Sequence, residues 1–416
     1  MLKLKYWDDP YRTEFRAEIV NVVVGADVVA LELSETYFHP EGGGQRSDRG
    51  TINALPVTDV QFSGGDHRTV LHYLDAAHTN LEKIKPGQAA VCKIDWEYRL
   101  LNMRSHTGCH LIYGAARKLY RELGYAGFSI TGDGTGTVYL NTSRSITSED
   151  IHKLTQLSNM AMLEDLNITT YFVTPNEVTN IKNVVYNVKL PERDVRIVDI
   201  NGWDVAVCSG THFTRTIEVG PIAIIGRTKH KKDVTRIDYA IGKNALDENM
   251  ITHRAISKMS SFFNVNRNEL VAHAEKLNNE VEEKTRQLKK VREKYSEYEL
   301  LNSINNAVEI GTMRLVVVAL RNVDQNAARS AASKLMKREA RLVLCIVGES
   351  GRIFIVGAQS HDLDVNLASP IIQTAKKYGG GGGGRPHLIT AGGLTGDVDT
   401  IVDDLQSTLL RNLAEV

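Results

Sequence analysis

The chain has 416 residues, with 50 Lys and Arg against 50 Asp and Glu, so its formal net charge is zero. Charged residues make up 24% and hydrophobic ones 42%, the composition of a globular protein of two or three domains and not of a disordered or fibrous chain. A neutral balance excludes a uniformly basic nucleic-acid binder, and apolar runs such as Leu315 to Leu320 are far too short to span a bilayer.

In chain order, residues 1–90 read as short strands separated by glycine turns, with Val20 to Leu33 and Val57 to Leu74 rich in β-branched residues. They predict a small N-terminal β-barrel. Residues 91–243 predict an α+β domain. Its first helix runs from Trp96 to Leu123, and Gly124 stops it. A second helix covers Ser148 to Leu163, and strands cover Phe128 to Leu140, Val184 to Asp199 and Val219 to Ile241. Residues 244–307 predict a helical connector. Apolar residues at 270, 274, 277, 281, 288, 291, 295 and 298 follow a 4-3 pattern broken at Lys284. Such a stripe either pairs two chains or folds back on Ala245 to Phe262 as a hairpin turning at Asn264 to Asn268. Residues 308–416 alternate strands (Arg314 to Leu320, Arg341 to Val347, Arg352 to Ala358) with helices (Gln325 to Glu339, Leu363 to Lys377, Val398 to Leu413), which predicts an α/β domain.

Two motifs carry metal-type side chains. His106-Thr107-Gly108-Cys109-His110 supplies two histidines, and Cys208-Ser209-Gly210-Thr211-His212 a cysteine and a third histidine. On a helix, a spacing of four puts both side chains on one face, one turn apart. Imidazole and thiolate together suit zinc better than calcium or magnesium, which take oxygen ligands. Either pair alone is as well explained by ordinary surface or core residues. The other marked segments are glycine-rich. Gly42-Gly43-Gly44-Gln45 follows the strand-like run Val28 to Leu33, and its glycines permit a tight turn and close approach to a ligand, or merely a surface loop. Gly379 to Gly384, followed by Arg385-Pro386-His387, reads as a loop internal to a domain, since apolar segments flank it.

The N-terminus, Met1 to Asp9, has no apolar stretch of the signal-peptide kind. The four cysteines, at 92, 109, 208 and 345, outline no disulfide framework. A reducing cytoplasm is the compartment this predicts. Local basic clusters stand out against the neutral total: Arg227, Lys229, Lys231, Lys232 and Arg236, and Arg286, Lys289, Lys290, Arg292 and Lys294 on the long helix. Beside the second cluster, Glu280, Glu282 and Glu283 make a balanced, solvated face an equal reading.

Taken together and in order, GGGQ at Gly42 to Gln45, HTGCH at His106 to His110, CSGTH at Cys208 to His212 and the hexaglycine run resemble the editing half of alanyl-tRNA synthetase and its free-standing relatives, the AlaX trans-editing proteins, in their longer type with a C-terminal glycine-rich domain. The likeness spans Phe38 to Gly393. Gly108 and Cys109 fill the variable middle of the first motif, and Ser209 stands where that family often has glycine. The resemblance implies a cytoplasmic hydrolase that removes serine, and secondarily glycine, from mischarged tRNA(Ala). It implies one Zn2+ held by His106, His110, Cys208 and His212. Thr107 is the expected partner of the serine hydroxyl, or else a residue that caps or packs the helix. Gln45, with Gly42, Gly43 and Gly44, is expected at the developing oxyanion or the terminal adenosine. Gly381, Gly382, Arg385 and His387 are expected to touch tRNA, and the connector and C-terminal domain to support a homodimer. Editing has a physical motive: a pocket for alanine cannot exclude smaller glycine and rejects an added hydroxyl poorly.

The aminoacylation half would lie upstream of Met1, and no G-x-x-x-x-G-K-[ST] loop is present, since Gly242-Lys243-Asn244 does not complete one. No use of ATP and no membrane partner are therefore expected. The Asp-His-His motif of phosphoesterases that share the C-terminal domain is absent; Asp66-His67-Arg68 comes nearest. Two other readings stay open: editing of seryl-tRNA(Thr), as in the related threonyl system, and a non-catalytic tRNA-binding or dimerising protein with a structural zinc. Four protein ligands make a closed site, which is more often structural than catalytic.

Overall fold

The computed structural model describes residues 3–63, 69–75, 84–120, 122–186, 190 and 194–414. Asp66-His67-Arg68 and parts of the expected strand Val184 to Asp199 lie outside these. The chain divides into two compact units, Met1–Phe262 and Phe263–Val416. No described helix is long and apolar enough to cross a membrane.

The first unit opens with a closed six-stranded barrel. Its strands are β1 (Glu14–Val24), β2 (Val28–Leu33), β3 (Gly50–Ile52), β4 (Leu55–Ser63), β5 (Thr69–Asp75) and β6 (Ala89–Ile94), in the order β1-β2-β5-β4-β3-β6. Burial alternates along β5 and β6, as a strand with one face inward requires. Ile19, Leu31, Leu33, Ile52, Val60, Val70 and Leu74 fill the interior. A small N-terminal barrel is thus present as expected, and its last strand runs past residue 90 to Ile94.

Helix α1 (Trp96–Leu119) begins at Asp95, whose carboxylate caps the first turn by accepting from Tyr98 N at 3.2 Å. Every residue from Ser105 to Ala116 is buried, so the polar side chains of that stretch are enclosed. Around α1 lie two four-stranded sheets. The first has the order β13-β14-β8-β7, built from β7 (Gly124–Ile130), β8 (Thr135–Asn141), β13 (Ile222–Lys231) and β14 (Val234–Ile241). The second has the order β9-β11-β12-β10, built from β9 (Ile168–Val173), β10 (Val184–Val185), β11 (Val195–Ile200) and β12 (Val205–Val207). Helix α2 (Ser148–Leu163) packs on α1 behind a Thr147–Asp150 capping box.

A buried ion pair ties α1 to the segment that carries the triple glycine. The Arg99 guanidinium meets both oxygens of Asp48, with Nε–Oδ1 at 2.8 Å, and both side chains are 0% exposed. Asp48 also accepts from His39 N at 2.5 Å, and Arg99 donates to Pro10 O and Tyr37 O. The charges are paired and their remaining lone pairs and protons are used, which is what allows a charge to be buried.

Helix α3 (Lys243–Phe263) belongs almost wholly to the first unit, and α4 (Leu270–Ile304) to the second, so the expected connector is two helices in two units. The second unit is built on a six-stranded sheet of order β15-β16-β17-β18-β20-β19, with β15 (Val308–Ile310), β16 (Met313–Arg321), β17 (Leu342–Glu349), β18 (Ile353–Gln359), β19 (Gly381–Arg385) and β20 (Leu388–Leu394). Helices α6 (Ala368–Lys377) and α7 (Val398–Leu413) cover one face through Ile371, Ile401, Leu405 and Leu409. Helix α5 (Gln325–Met336) and Leu300 of α4 cover the other. Residues 342–348 therefore bury both faces of β17 and read as an unbroken apolar run.

The sheet is mixed: only β16 and β17 run parallel, joined by α5. Strands β17 and β18 are three residues apart, too close for a crossover, so they form an antiparallel hairpin. The hexaglycine run, expected as a loop, is irregular only at Gly379 and Gly380. Gly381 to Arg385 form β19, an exposed edge strand in register with β20 from Gly381↔Gly392 to Arg385↔Leu388. A Cβ on Gly382 or Gly384 would lie 2.3 Å from the Thr390 or Leu388 carbonyl oxygen. Pairing this close admits only glycine, and it overrides glycine's weak preference for strands.

Candidate metal centre

Two segments bring the four marked side chains together. His106 and His110 stand on one face of α1. Cys208 and His212 lie on the irregular segment after β12, so only the first pair gains its spacing from a helix. One donor atom from each of the four residues falls within 4.8 Å of all the others, and all four residues are buried. Cys208 Sγ is 3.2 Å from both His106 Nε2 and His212 Nε2. His110 Nε2 is buried without a hydrogen-bond partner. An orphaned ring nitrogen beside a thiol and two further imidazoles is a donor set that fits a transition-metal ion.

Each ring is aimed from behind by its Nδ1. His106 Nδ1 is 2.7 Å from Gln45 Oε1, His110 Nδ1 is 2.6 Å from Asp204 Oδ2, and His212 Nδ1 is 3.3 Å from Thr107 Oγ1. In all three the outer partner leaves Nε2 free to face inward, the usual way a fold fixes the tautomer of a metal-binding histidine. Asp204 is only 2% exposed and is held by Arg117 on its other oxygen.

The electrostatics follow from this packing. Burial alone would raise the Cys208 thiol, but the imidazoles of His106 and His212 outweigh it and hold the thiol well below its usual range. Burial lowers His212 to about 3. Burial also works against a charge on His110, yet the Asp204 hydrogen bond and the Cys208 charge raise it to about 10. The thiolate is thus favoured, and a metal on His110 Nε2 would take the place of that ring's proton.

The glycine motifs make the approach possible. Gly42 and Gln45 exchange backbone hydrogen bonds of 3.1 Å across a tight turn, with φ of +57° at Gly43 and +80° at Gly44. A Cβ on Gly210 would lie 2.1 Å from the His106 ring. Arg196, 5% exposed, donates to the carbonyls of Cys208 and Gly210 and pins the second motif.

A cavity of about 440 Å³ opens beside the cluster. Its lining includes Gly43, Gly44, His110, Cys208 and Ser209 together with four aromatic side chains, Tyr113, Tyr125, Phe128 and Tyr186. Gln45 is not on that wall. It is 1% exposed, its Oε1 takes His106 Nδ1 and Thr211 N, and its Nε2 donates to Thr211 Oγ1. The expected contact of Gln45 with an oxyanion or adenosine gives way to a positioning role, because both ends of its amide are spent on the two metal motifs. Thr107 is likewise off that wall and 0% exposed, its hydroxyl 3.3 Å from His212 Nδ1. Gly381, Gly382, Arg385 and His387 belong to the second unit: the first three lie on exposed β19, and the His387 ring is half-buried, 5.3 Å from that of His361. Sequence reasoning missed Asp204, Arg117, Arg196 and the aromatic wall, none of which carries a motif.

Residues 195–238 match the family described as Threonyl and Alanyl tRNA synthetase second additional domain, and residues 312–410 match the DHHA1 domain. Alanine–tRNA ligases are similar along nearly the whole chain. That of Methanopyrus kandleri is 28% identical over 99% of this chain and 45% of the ligase. The chain is an AlaX-like protein of alanyl-tRNA synthetase descent. Among further relatives, the ligase of Thermococcus kodakarensis is 30% identical over 92% of the chain and 41% of the ligase, and that of Pyrococcus furiosus 31% over 92% and 41%. This AlaX-like chain therefore spans less than half the length of the ligases it matches. A solved C-Ala domain of Aquifex aeolicus alanyl-tRNA synthetase is 26% identical, with 26% of this chain and 97% of that domain covered and a TM-score of 0.24.

Proposed function

We propose that these 416 residues hydrolyse, in trans, the ester joining a wrong amino acid to tRNA(Ala), chiefly serine and secondarily glycine. The observation that carries this reading is the cluster of three aimed imidazoles and one thiolate, of which His110 and Cys208 line a cavity large enough for an aminoacyl ester. Its support is the similarity to alanine–tRNA ligases across both motifs.

His106, His110, Cys208 and His212 would hold one zinc ion. When bound, zinc supplies a Lewis-acid charge that polarises and positions the ester end of the substrate. The remaining roles belong to the chain. Gly43 and Gly44 face the cavity, and their amides, taken up by no carbonyl among the described residues, would donate to the oxyanion that forms on the ester carbonyl. Tyr113 and Tyr125, stacked at 5.3 Å, and Tyr186 would receive the terminal adenosine. Thr107 lies behind the cavity wall, so its contact with a serine hydroxyl would need the wall to yield as substrate enters. With His212 Nδ1 donating to the Thr107 oxygen, the Thr107 O–H would then remain to bond that hydroxyl. That contact would discriminate against alanine, which has nothing to accept it.

The test is deacylation by the purified chain of seryl-, glycyl- and alanyl-tRNA(Ala) and of seryl-tRNA(Thr), with bound metal measured alongside. Seryl-tRNA(Ala) should be emptied fastest and alanyl-tRNA(Ala) spared, and Cys208→Ala should lower metal content and rate together. A preference for seryl-tRNA(Thr) would move the protein to the threonine system. Zinc bound in full with no deacylation of any substrate would leave the metal a structural one.

A further inference from the structure

A second cavity, of about 390 Å³, shares no lining residue with the first. It lies between the 142–146 loop after β8 and the β13–β14 hairpin. Two hydrogen bonds join its walls: Thr142 N donates to Asp233 O at 2.7 Å, and Arg227 Nη1 to Ile146 O at 2.6 Å. Four cations, Arg144, Arg227, Lys229 and Lys231, line it against one carboxylate, Asp233. Arg144 is shared with Asp150 at 3.2 Å. Among the described residues Arg227, Lys229 and Lys231 enter no ion pair.

In a chain with zero net charge, such crowding of unpaired like charge stands out, and a bound anion would relieve the repulsion beyond what solvent and salt screen. The lining also identifies which anion. Guanidinium and ammonium groups with the hydroxyls of Ser143 and Ser145 suit phosphate oxygens. No aromatic side chain lines the cavity, so nothing is built to stack a base. Lysines on β13, an edge strand, would also discourage edge-to-edge pairing, but that purpose would not need Arg227 tied to the opposite loop or Arg144 on that loop.

We propose that this cleft is a docking site for the phosphodiester backbone of RNA, separate from the cavity that takes the ester. The inference deepens the tRNA reading above and rests on it for the identity of the RNA. The test uses the full chain and an uncharged tRNA(Ala) transcript, with fluorescence anisotropy from 50 to 300 mM salt as the order of range that resolves counterion release. The double variant Lys229→Ala, Lys231→Ala should bind about tenfold more weakly near 0.1 M salt. The slope of log affinity against log salt should shrink by about 1.5, for two lost phosphate contacts. Replacing both lysines with arginine should preserve affinity and slope. Both lysines are exposed, so melting temperature and zinc content should not change and will show that the variant is folded.

Unaltered affinity and slope in the double alanine variant would overturn the docking site, even if deacylation proceeds. Binding that is lost in the variant while neither protein deacylates any tRNA would keep the docking site and remove the proposed activity. Inorganic phosphate added at constant ionic strength separates two sources of the same chemistry. Displacement of tRNA by sub-millimolar phosphate would reassign the cleft to a small phosphorylated ligand, and resistance to it is the expected result.

Discussion

Removing the carboxylate of Asp204 tests the metal centre from behind without touching a donor atom. Its Oδ2 lies 2.6 Å from His110 Nδ1, and its other oxygen is held by Arg117. Asn at this position can still accept from Nδ1 but loses the charge and sets an amide against the Arg117 guanidinium; Ala loses the bond as well. Outer partners of this kind are worth 10- to 100-fold in metal affinity, about 1.4 to 2.7 kcal/mol. Asp204→Asn should fall near the lower figure and Asp204→Ala near the upper one, because His110 is otherwise buried with nothing to fix its tautomer. Zinc affinity is read by competition with a chromophoric chelator at fixed pH, and deacylation of seryl-tRNA(Ala) is read in parallel. Zinc affinity in Asp204→Ala equal to that of the unaltered protein would refute the idea that the Asp204–His110 contact organises the cluster. A large loss in both variants, with melting temperature lowered by several degrees, would instead place Asp204 in fold stability alone.

Thr107→Val keeps the shape and deletes the hydroxyl. Serine removal should fall about fivefold relative to glycine removal, the equivalent of one hydrogen bond near 1 kcal/mol. Equal slowing of both substrates would assign Thr107 to holding His212 only. Arg99→Met leaves Asp48 charged, buried and unpaired, so the first unit should lose about 3 to 5 kcal/mol of stability. All three tryptophans, Trp7, Trp96 and Trp203, lie in that unit, so denaturation followed by their fluorescence reads it directly, and an unchanged midpoint would refute the claim. His72 sits in the barrel, with Nε2 2.9 Å from Thr36 Oγ1, and burial lowers it from 6.5 to about 4. The unfolded chain takes up this proton first, so stability is complete above pH 6.5 and declines as pH falls toward 4, by up to about 3 kcal/mol. His72→Gln should flatten that decline in the tryptophan signal, and an identical acid profile would exclude His72 as its source.

Much of the fold was legible because its periods are local. Alternating β-branched residues marked the barrel strands, and the apolar spacing of Ser148 to Leu163 and Val398 to Leu413 marked helices with the bounds observed. The four metal-type residues were legible because their chemistry is rare and their spacing short. Sequence alone also indicated that Gly42, Gly43 and Gly44 could bring backbone close to another group. It could not determine which group, nor that Gly210 meets His106, since that happens only where two segments about a hundred residues apart converge.

Tertiary structure decided the rest. Gln45 braces His106 and Thr211 and lies off the cavity wall, because a side chain's partners depend on what packs over it. The glycine run became a strand, because ladder bonds from β20 satisfied a backbone that has no preference of its own. Asp204 and Arg196 carry no pattern, and they matter only through burial beside the cluster, which is a property of the folded interior and not of any stretch of chain.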